Sequence, residues 1–157
     1  MNNEILFLIA QLKDAFEGEP WFGRPALKLL GEVTEDIAFQ KPNGQHSIVE
    51  LIWHMINWKE FAINCLRPGN EKNLQLFEQN DWRNLDHSNK DLFQDGIKKL
   101  QLAQEELVNI LQVQQDDILE NDVPGRTYSF RKLLHGVVQH DIYHLGQIAY
   151  IKKLLGK

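Results

Sequence analysis

The feature that most constrains this chain is an uninterrupted helical pattern that runs from about Phe130 to Leu155. Its apolar stripe advances by alternating steps of four and three residues, as on the buried face of a bundle helix. The stripe comprises Leu133, Val137, His140, His144, Gln147, Ile151 and Leu154. Three consecutive positions on it are polar groups that must be hydrogen-bonded or bound to a ligand when buried. Inward-facing imidazoles build the metal sites of helix bundles, so the segment predicts a bundle with a candidate metal site.

Three further amphipathic segments extend the helical pattern over most of the chain, and no stretch alternates strictly between polar and apolar residues as a strand does. The predicted caps of the four long helices are Asn2 or Asn3, Ser47 with Glu50, Ser88 with Asp91, and Ser129. Residues 71–87 form a polar connection, anchored by Trp82, with room for one short helix. The pattern predicts an all-α, four-helix bundle of up-down-down-up order, because a connection of about twenty residues between helices two and three can cross the bundle.

The composition is that of an ordinary globular protein. The 157 residues fit one domain spanning 1–157, and 43% hydrophobic with 25% charged residues is a usual balance. A formal net charge of −5 without a basic patch argues against a nucleic-acid partner. No apolar run is long enough for a membrane span or a signal peptide, and the lone cysteine, Cys65, excludes an internal disulfide. The expected location is therefore the cytoplasm.

A third histidine stands on the buried stripe of the second predicted helix. That stripe comprises Leu51, His54, Trp58, Phe61 and Cys65. His54 lies about two turns into its helix and the pair His140 and His144 about three to four turns into theirs, so facing helices can bring all three to one level. The other histidines precede a cap, lie in the connection or fall off the stripe; they are His46, His87 and His135. The sequence therefore predicts a metal site made of His54, His140 and His144.

Three neutral imidazoles leave at least one coordination position open on zinc, nickel or a similar ion. An open position admits water or substrate, which favours catalysis over a structural site closed by four protein ligands. A metal held there would lower the pKa of a bound water or thiol and so supply a nucleophile near neutral pH. Cys65 lies about 16 Å beyond His54 along the helix, too far for a fourth ligand, and is interpreted as a buried small hydrophobe.

Asp141 and Gln147 are the candidates for a further chemical role beside the predicted ligands. Asp141 completes the motif His-Asp-x-x-His, one methylene shorter than the zincin motif, whose glutamate is the general base. It is interpreted chiefly as a residue that supports the ligands or faces solvent, with the role of a base left open. Gln147, one turn after His144, is predicted to support a ligand or to face the substrate. The residues predicted to line a pocket, or else to pack in the core, are Trp58, Phe61 and Tyr143.

Two motifs resemble those of the DinB/YfiT-like superfamily of metal-dependent enzymes. They are Ser47-Ile-Val-Glu-Leu-Ile-Trp-His54-Met-Ile-Asn-Trp58 and Leu133-Leu-His-Gly-Val-Val-Gln-His140-Asp-Ile-Tyr-His144-Leu-Gly-Gln-Ile148. The resemblance covers essentially the whole chain in helix order. It implies an up-down-down-up bundle, a nickel or zinc ion held by His54, His140 and His144, and a homodimer. Relatives include bacillithiol S-transferases and mycothiol-dependent isomerases, which implies a low-molecular-weight thiol as co-substrate. One departure is His46, where relatives often have an aromatic residue.

Three hypotheses for the function remain. The first is a metal-dependent S-transferase with small-molecule substrates, in which a thiol is activated as its thiolate for attack on an electrophile. The second is a metal-dependent hydrolase, in which an activated water attacks and Asp141 or Gln147 assists. The third is a non-catalytic bundle that binds a metal or another small ligand. An enzyme is preferred over the binding bundle, and the resemblance favours the transferase, although the residues alone leave the choice between the two enzymes open.

Overall fold

This computed structural model describes residues 3–69 and 74–156, in which all the regular elements are helices joined by turns and loops, and the predicted all-α class is confirmed. The helices are α1 (Asn3–Glu17), α2 (Ala26–Gly31), α3 (Glu35–Ala38), α4 (Ile48–Leu66), α5 (Leu74–Gln79), α6 (Asp91–Gln112) and α7 (Phe130–Leu155). Between helices of the described ranges lie the 3-10 turns Pro42–Gly44 and Asp116–Glu120. The β pairing in the described ranges is an isolated bridge between Asp122 and Ser129. No helix in those ranges is both long and apolar enough to cross a membrane.

The starts of α4 and α7, the two helices that carry the predicted ligands, are capped as expected. The Ser47 hydroxyl accepts a hydrogen bond from the Glu50 amide at 3.2 Å, and the Glu50 carboxylate accepts one from the Ser47 amide at 2.8 Å. This reciprocal pair is the predicted capping box, and it satisfies two amide groups that the helix itself leaves unpaired. At α7, the Ser129 hydroxyl accepts from the Lys132 amide at 3.4 Å. Both helices therefore begin where the sequence predicts.

The predicted caps of α1 and α6 have different outcomes. Ser88 does not cap α6, because its amide and hydroxyl both donate to the Asp86 carboxylate. The Asp91 amide, the first of α6, donates instead to the Asn89 side chain at 3.2 Å, so the Ser88 prediction is wrong. Of the two predicted caps of α1, Asn2 lies outside the described residues and Asn3 is the first residue of the helix. The Glu4 and Ile5 amides at its start donate to the Asp116 carboxylate, which belongs to the 3-10 turn after α6.

In the bundle, α6 and α7 lie between α4 and α1. Helix α4 contacts both α6 and α7, and α1 packs against the same two helices. Because α4 has neighbours on several sides, its buried surface extends well beyond one stripe and includes Ile48, Ile52 and Ile56. On the predicted stripe, Trp58 is half-buried and the other residues are buried. The described part of the connection between α4 and α6 contains a short helix, α5, as predicted.

The buried face of α7 is rotated slightly from the predicted stripe. Its most buried line runs through Leu134, Val138, Leu145 and Ile148. The predicted stripe lies along one flank of this face, so its first residue is only partly buried and its last, Leu154, is 51% exposed. The reason is that α7 packs against both α1 and α4, so its buried face is wider than it would be in contact with a single helix. A flank position allows a polar side chain to reach the edge of the core, where cavities open.

Candidate metal centre

Three histidine side chains from two helices converge at one level of the fold. His54 comes from α4, and His140 and His144 come from α7. The Nε2 atom of His140 lies 3.0 Å from Nε2 of His54 and 3.0 Å from Nε2 of His144. One nitrogen from each ring lies within 4.8 Å of the other two, so the three side chains could hold a metal ion between them. The residues predicted as ligands are thus brought together.

Hydrogen bonds at the opposite edge of two rings determine where their protons lie. The Nδ1 atom of His54 is 3.1 Å from the backbone carbonyl oxygen of Asp81 and 3.0 Å from its carboxylate. The Nδ1 atom of His144 is 2.7 Å from the side-chain amide oxygen of Gln147. Because these oxygens only accept, both Nδ1 atoms carry the hydrogen, and each neutral ring has its lone pair on Nε2. Gln147 therefore supports His144, one of the two roles predicted for it.

The three converging nitrogens have too few hydrogens to bond one another. His54 and His144 each present a lone pair to the Nε2 atom of His140, which carries at most one hydrogen in a neutral ring. That hydrogen can point at one neighbour and leaves the other lone pair facing a nitrogen 3.0 Å away. A cation satisfies all three, and nitrogens about 2.05 Å from a tetrahedral ion stand about 3.3 Å apart, close to these separations. The donor set therefore fits a borderline divalent ion.

Burial keeps the three imidazoles neutral. His54 is 7% exposed and His144 4%. Burial, followed by the neighbouring rings of His144 and His54, lowers the pKa of His140 to about 3. Burial is also the main cause that lowers the pKa values of His54 and His144, although their hydrogen bonds to Asp81 and Gln147 act in the opposite direction. Metal ions bind the neutral form of imidazole, so these rings need lose no proton at neutral pH before they coordinate.

The metal-free protein is expected to become less stable as the pH falls below about 6.5. The unfolded chain then binds a proton at His140, whereas the folded chain does not until the pH approaches its lowered pKa of about 3. One such histidine lowers the free energy of unfolding by at most about 1.4 kcal/mol per pH unit. Urea unfolding of chelator-treated protein between pH 7 and pH 5, where most carboxylates stay ionised, measures the slope. A His140→Gln variant should show a shallower slope, and an unchanged slope would contradict the assignment.

The connection before α6 forms an outer wall of the site. Trp82 lies flat on His54, with ring centroids 4.0 Å apart, and His46 stacks on Trp82 at 3.6 Å. Beside them, the Asp81 carboxylate accepts a hydrogen bond from the Trp58 indole at 2.6 Å as well as contacting His54. The sequence prediction treated Trp82 only as an anchor and did not name Asp81. Together these residues fix the ring of His54 and separate part of the site from solvent.

Asp141 is bound to a buried lysine. Asp141 is 6% exposed, and its Oδ2 accepts a hydrogen bond from the Nζ atom of Lys59 at 2.6 Å. Lys59 is 1% exposed and also donates to the Gln104 amide oxygen at 2.9 Å, while the Gln104 amide donates to the Leu12 carbonyl at 2.9 Å. This network joins α1, α4, α6 and α7. The interpretation that Asp141 faces solvent is therefore wrong, whereas a supporting role beside His140 agrees with its position; the role of a base stays a prediction.

Two separate cavities border the histidines. The larger one, of about 610 Å³, is bordered by His144, and its polar and aromatic lining includes His46, Trp82, Tyr143, Gln147 and Tyr150. The smaller one, of about 210 Å³, is bordered by His140 and includes Trp58 and Phe61. All three residues predicted to line a pocket therefore do so, but Tyr143 lies in one cavity and the other two in the second.

The remaining candidates lie outside the cluster, as expected. His87 faces Glu50, with 3.6 Å between the ring and the carboxylate, and His135 lies 3.3 Å from Glu4. His46 reaches the site only through Trp82. Cys65 is buried, and burial raises the pKa of its thiol to about 11, which agrees with its interpretation as a small hydrophobe.

Comparison with known proteins adds one finding. A family model described as the DinB superfamily matches residues 24–148, well over half of the chain, and this range includes all three converging histidines. No curated protein and no solved structure matches the chain.

Proposed function

The chain belongs to the DinB superfamily, and we propose that it is a metal-dependent enzyme whose histidines His54, His140 and His144 bind one nickel or zinc ion. We further propose that it is an S-transferase, which joins a low-molecular-weight thiol to an electrophilic carbon. The observation that carries the proposal is the set of three converging Nε2 atoms, short of hydrogens, beside a cavity of about 610 Å³. Three protein ligands leave a coordination position for a substrate.

In this reaction, side chains around the site orient the metal ligands and exclude water. A bound divalent metal lowers the pKa of a thiol, so that the sulfur is a nucleophile near neutral pH. Asp81 and Gln147 hold the rings of His54 and His144 with their Nε2 lone pairs directed inward. Trp82 covers one face of His54 and excludes water from that side. Oriented ligands and restricted access to water both favour a single attacking geometry.

The larger cavity supports a polar co-substrate. Its lining near His144 contains amide, phenol and imidazole groups from Gln147, Tyr143, Tyr150 and His46. These groups donate and accept hydrogen bonds, and so can bind the polar groups of a small thiol. In the proposed step the thiol loses its proton to solvent and its sulfur forms the new S–C bond with its own electron pair. The leaving group departs with the electron pair of the bond that breaks.

The directions in which the helices run support the bundle arrangement that the family resemblance implies. Glu4 of α1 pairs with Arg131 at 2.8 Å near the start of α7, and Lys152 near the end of α7 pairs with Glu32, beyond the end of α1. These contacts support a parallel arrangement of α1 and α7. We infer from this pair, and from the contacts of α4 described next, the up-down-down-up bundle that the family resemblance implies, within a single domain.

Contacts of α4 support the other two directions of the bundle. Along α4, His54 precedes Lys59. On α7 the order is reversed, because Asp141, the partner of Lys59, precedes His144, one of the two histidines that His54 contacts, and this supports an antiparallel pair. Toward α6, the Trp53 indole donates to the Leu92 carbonyl and Lys59 to Gln104, in the same order along both helices. This supports a parallel pair. The homodimer that the resemblance implies stays a prediction.

A metal titration followed by a thiol assay tests the proposed function. Chelator-treated protein is expected to bind one Ni²⁺ or Zn²⁺ per chain in isothermal titration calorimetry. The loaded protein should then consume bacillithiol in the presence of iodoacetamide faster than the metal-free protein, with L-cysteine as the comparison thiol.

The alternatives give different results in the same preparation. Metal-dependent cleavage of 4-nitrophenyl acetate without thiol consumption would replace the transferase with the hydrolase. Metal binding without either activity would favour the non-catalytic binding bundle. Absence of metal binding at micromolar concentrations would reject the metal site itself, and with it both enzymatic hypotheses.

A further inference from the structure

The smaller cavity, of about 210 Å³, is walled chiefly by aromatic and aliphatic side chains. They are Trp58, Phe61, Tyr128, Leu133 and Val137. It shares no lining residue with the larger cavity beside His144. A cavity of about 150 Å³ with such a lining is large enough to bind benzene. The smaller cavity therefore has room for a group the size of a benzyl ring.

Lys132, an exposed residue of the lining, has its amine 5.8 Å from the centre of the Tyr128 ring, and the more buried polar groups in the wall already have partners. Lys59 and Asp141 form an ion pair of 2.6 Å with each other, and the Trp58 indole donates to Asp81. A charged group that does not pair with Lys132 would have to break the Lys59–Asp141 pair or remain without a counter-ion in an apolar setting, and both are costly. An uncharged apolar group meets neither penalty and gains from the burial of its surface. Apart from Lys132, the lining thus favours an uncharged group.

The position of His140 connects this cavity to the proposed reaction. Its ring borders the smaller cavity, while its Nε2 atom lies 3.0 Å from Nε2 of His144, whose ring borders the larger one. A group in either cavity therefore lies against a ring of the same three-histidine cluster. We propose that the smaller cavity binds an uncharged, benzyl-sized apolar group of the electrophilic substrate, while the polar thiol enters through the larger cavity. The assignment to the electrophile rests on the proposed transferase function.

Two glycines of α7 provide a matched pair of test variants. Gly136 lines the smaller cavity and Gly146 the larger one. At both positions an added Cβ would meet no other atom within 4 Å, apart from neighbours along the helix. Leucine also has a higher helix propensity than glycine, so neither replacement should unfold the helix. Gly136→Leu narrows the apolar cavity, and Gly146→Leu is the control on the same helix. Leu133→Trp is a second variant that fills the apolar cavity.

Binding of toluene to the metal-free protein tests the cavity independently of any reaction. Titration monitored by NMR should give saturable binding to the parent protein, at least tenfold weaker binding to Gly136→Leu and to Leu133→Trp, and less than a twofold change for Gly146→Leu. No saturable binding to the parent would overturn the proposal. So would an equal loss in Gly146→Leu, because the toluene would then occupy a different place.

Kinetics with two electrophiles test the assignment to the substrate. With metal-loaded protein and bacillithiol, Gly136→Leu should raise the KM for benzyl bromide at least tenfold and leave the KM for iodoacetamide within twofold. Equal changes for both electrophiles would overturn the assignment to the apolar group. If the parent consumes no thiol, the transferase function fails, and the assignment to its electrophile fails with it. The toluene result still shows whether the cavity binds apolar groups.

Discussion

Replacement of His140 by alanine is expected to raise the dissociation constant for Ni²⁺ or Zn²⁺ at least about 100-fold. His140 is the ring that both other histidines face, and its Nε2 atom lies 3.0 Å from each of theirs. Loss of a residue that only supports a metal ligand costs about 10- to 100-fold in affinity, and loss of the ligand itself should cost more. Isothermal titration calorimetry of chelator-treated protein measures the change directly.

The chain contains a matched control for this replacement. His135 lies on the same helix but contacts Glu4 at 3.3 Å, away from the cluster, so His135→Ala should retain the dissociation constant of the parent. Circular dichroism of each metal-free variant checks that the fold is kept. A His140→Ala variant that binds the metal as tightly as the parent would show that the cluster is not the binding site.

The residues that support the ligands should give an intermediate effect. Gln147→Ala removes the acceptor at 2.7 Å from Nδ1 of His144 but leaves the ring itself in place. The His144 ring can then rotate, or carry its hydrogen on Nε2, and both changes weaken coordination. We expect a dissociation constant about 10- to 100-fold above that of the parent. The dissociation constant should therefore rise from His135→Ala, the control, through Gln147→Ala to His140→Ala. This order would distinguish an effect on metal coordination from a general effect on the fold.

The ligand cluster could be predicted because it rests on local helix geometry. His140 and His144 are one turn apart on α7, and His54 takes a place on α4 where an apolar residue is expected. Counting turns from the two serine caps was sufficient to place the three at one level. The caps themselves are local, since each involves residues three apart in the sequence. Periodicity within single helices was therefore the basis of both predictions, the helix bundle and the set of metal ligands.

The residues that support the cluster and the start of α1 depend on contacts between distant segments. Asp81 supports His54 partly through its backbone carbonyl, a group that every residue possesses, from a connection without periodicity. Asp116 accepts from the first amides of α1 across more than a hundred residues. Lys59 follows Trp58 on a helix that is enclosed by its neighbours, and only that enclosure buries its amine. No pattern within a single helix distinguishes these residues from their solvent-exposed equivalents.

Replacement of Lys59 by methionine is expected to lower the free energy of unfolding by about 3–5 kcal/mol. The change leaves the Asp141 carboxylate buried without its cationic partner, and it removes a donor from Gln104. Removal of one partner of a buried ion pair carries this cost because an uncompensated charge remains in the interior. Urea unfolding of the metal-free protein at pH 7 measures the loss.

An exposed lysine gives the comparison for this prediction. Lys99 pairs with Glu60 at 3.1 Å, but its side chain is 44% exposed, so Lys99→Met should cost at most about 1 kcal/mol. The double variant Lys59→Met, Asp141→Leu removes both charges and should recover much of the stability lost by Lys59→Met alone. If Lys59→Met is as stable as the parent within 1 kcal/mol, the buried pair does not stabilise the fold.

The same double variant separates the stability of the bundle from the positioning of the metal ligands. Asp141 follows His140 directly in α7, and its bond to Lys59 ties that turn of the helix to α4, which carries His54. If the ion pair positions the ligands, the double variant should bind the metal about 10- to 100-fold more weakly even though it is folded. If it retains the affinity of the parent, the packing of α4 against α7 is sufficient to hold the histidines, and the pair serves stability alone.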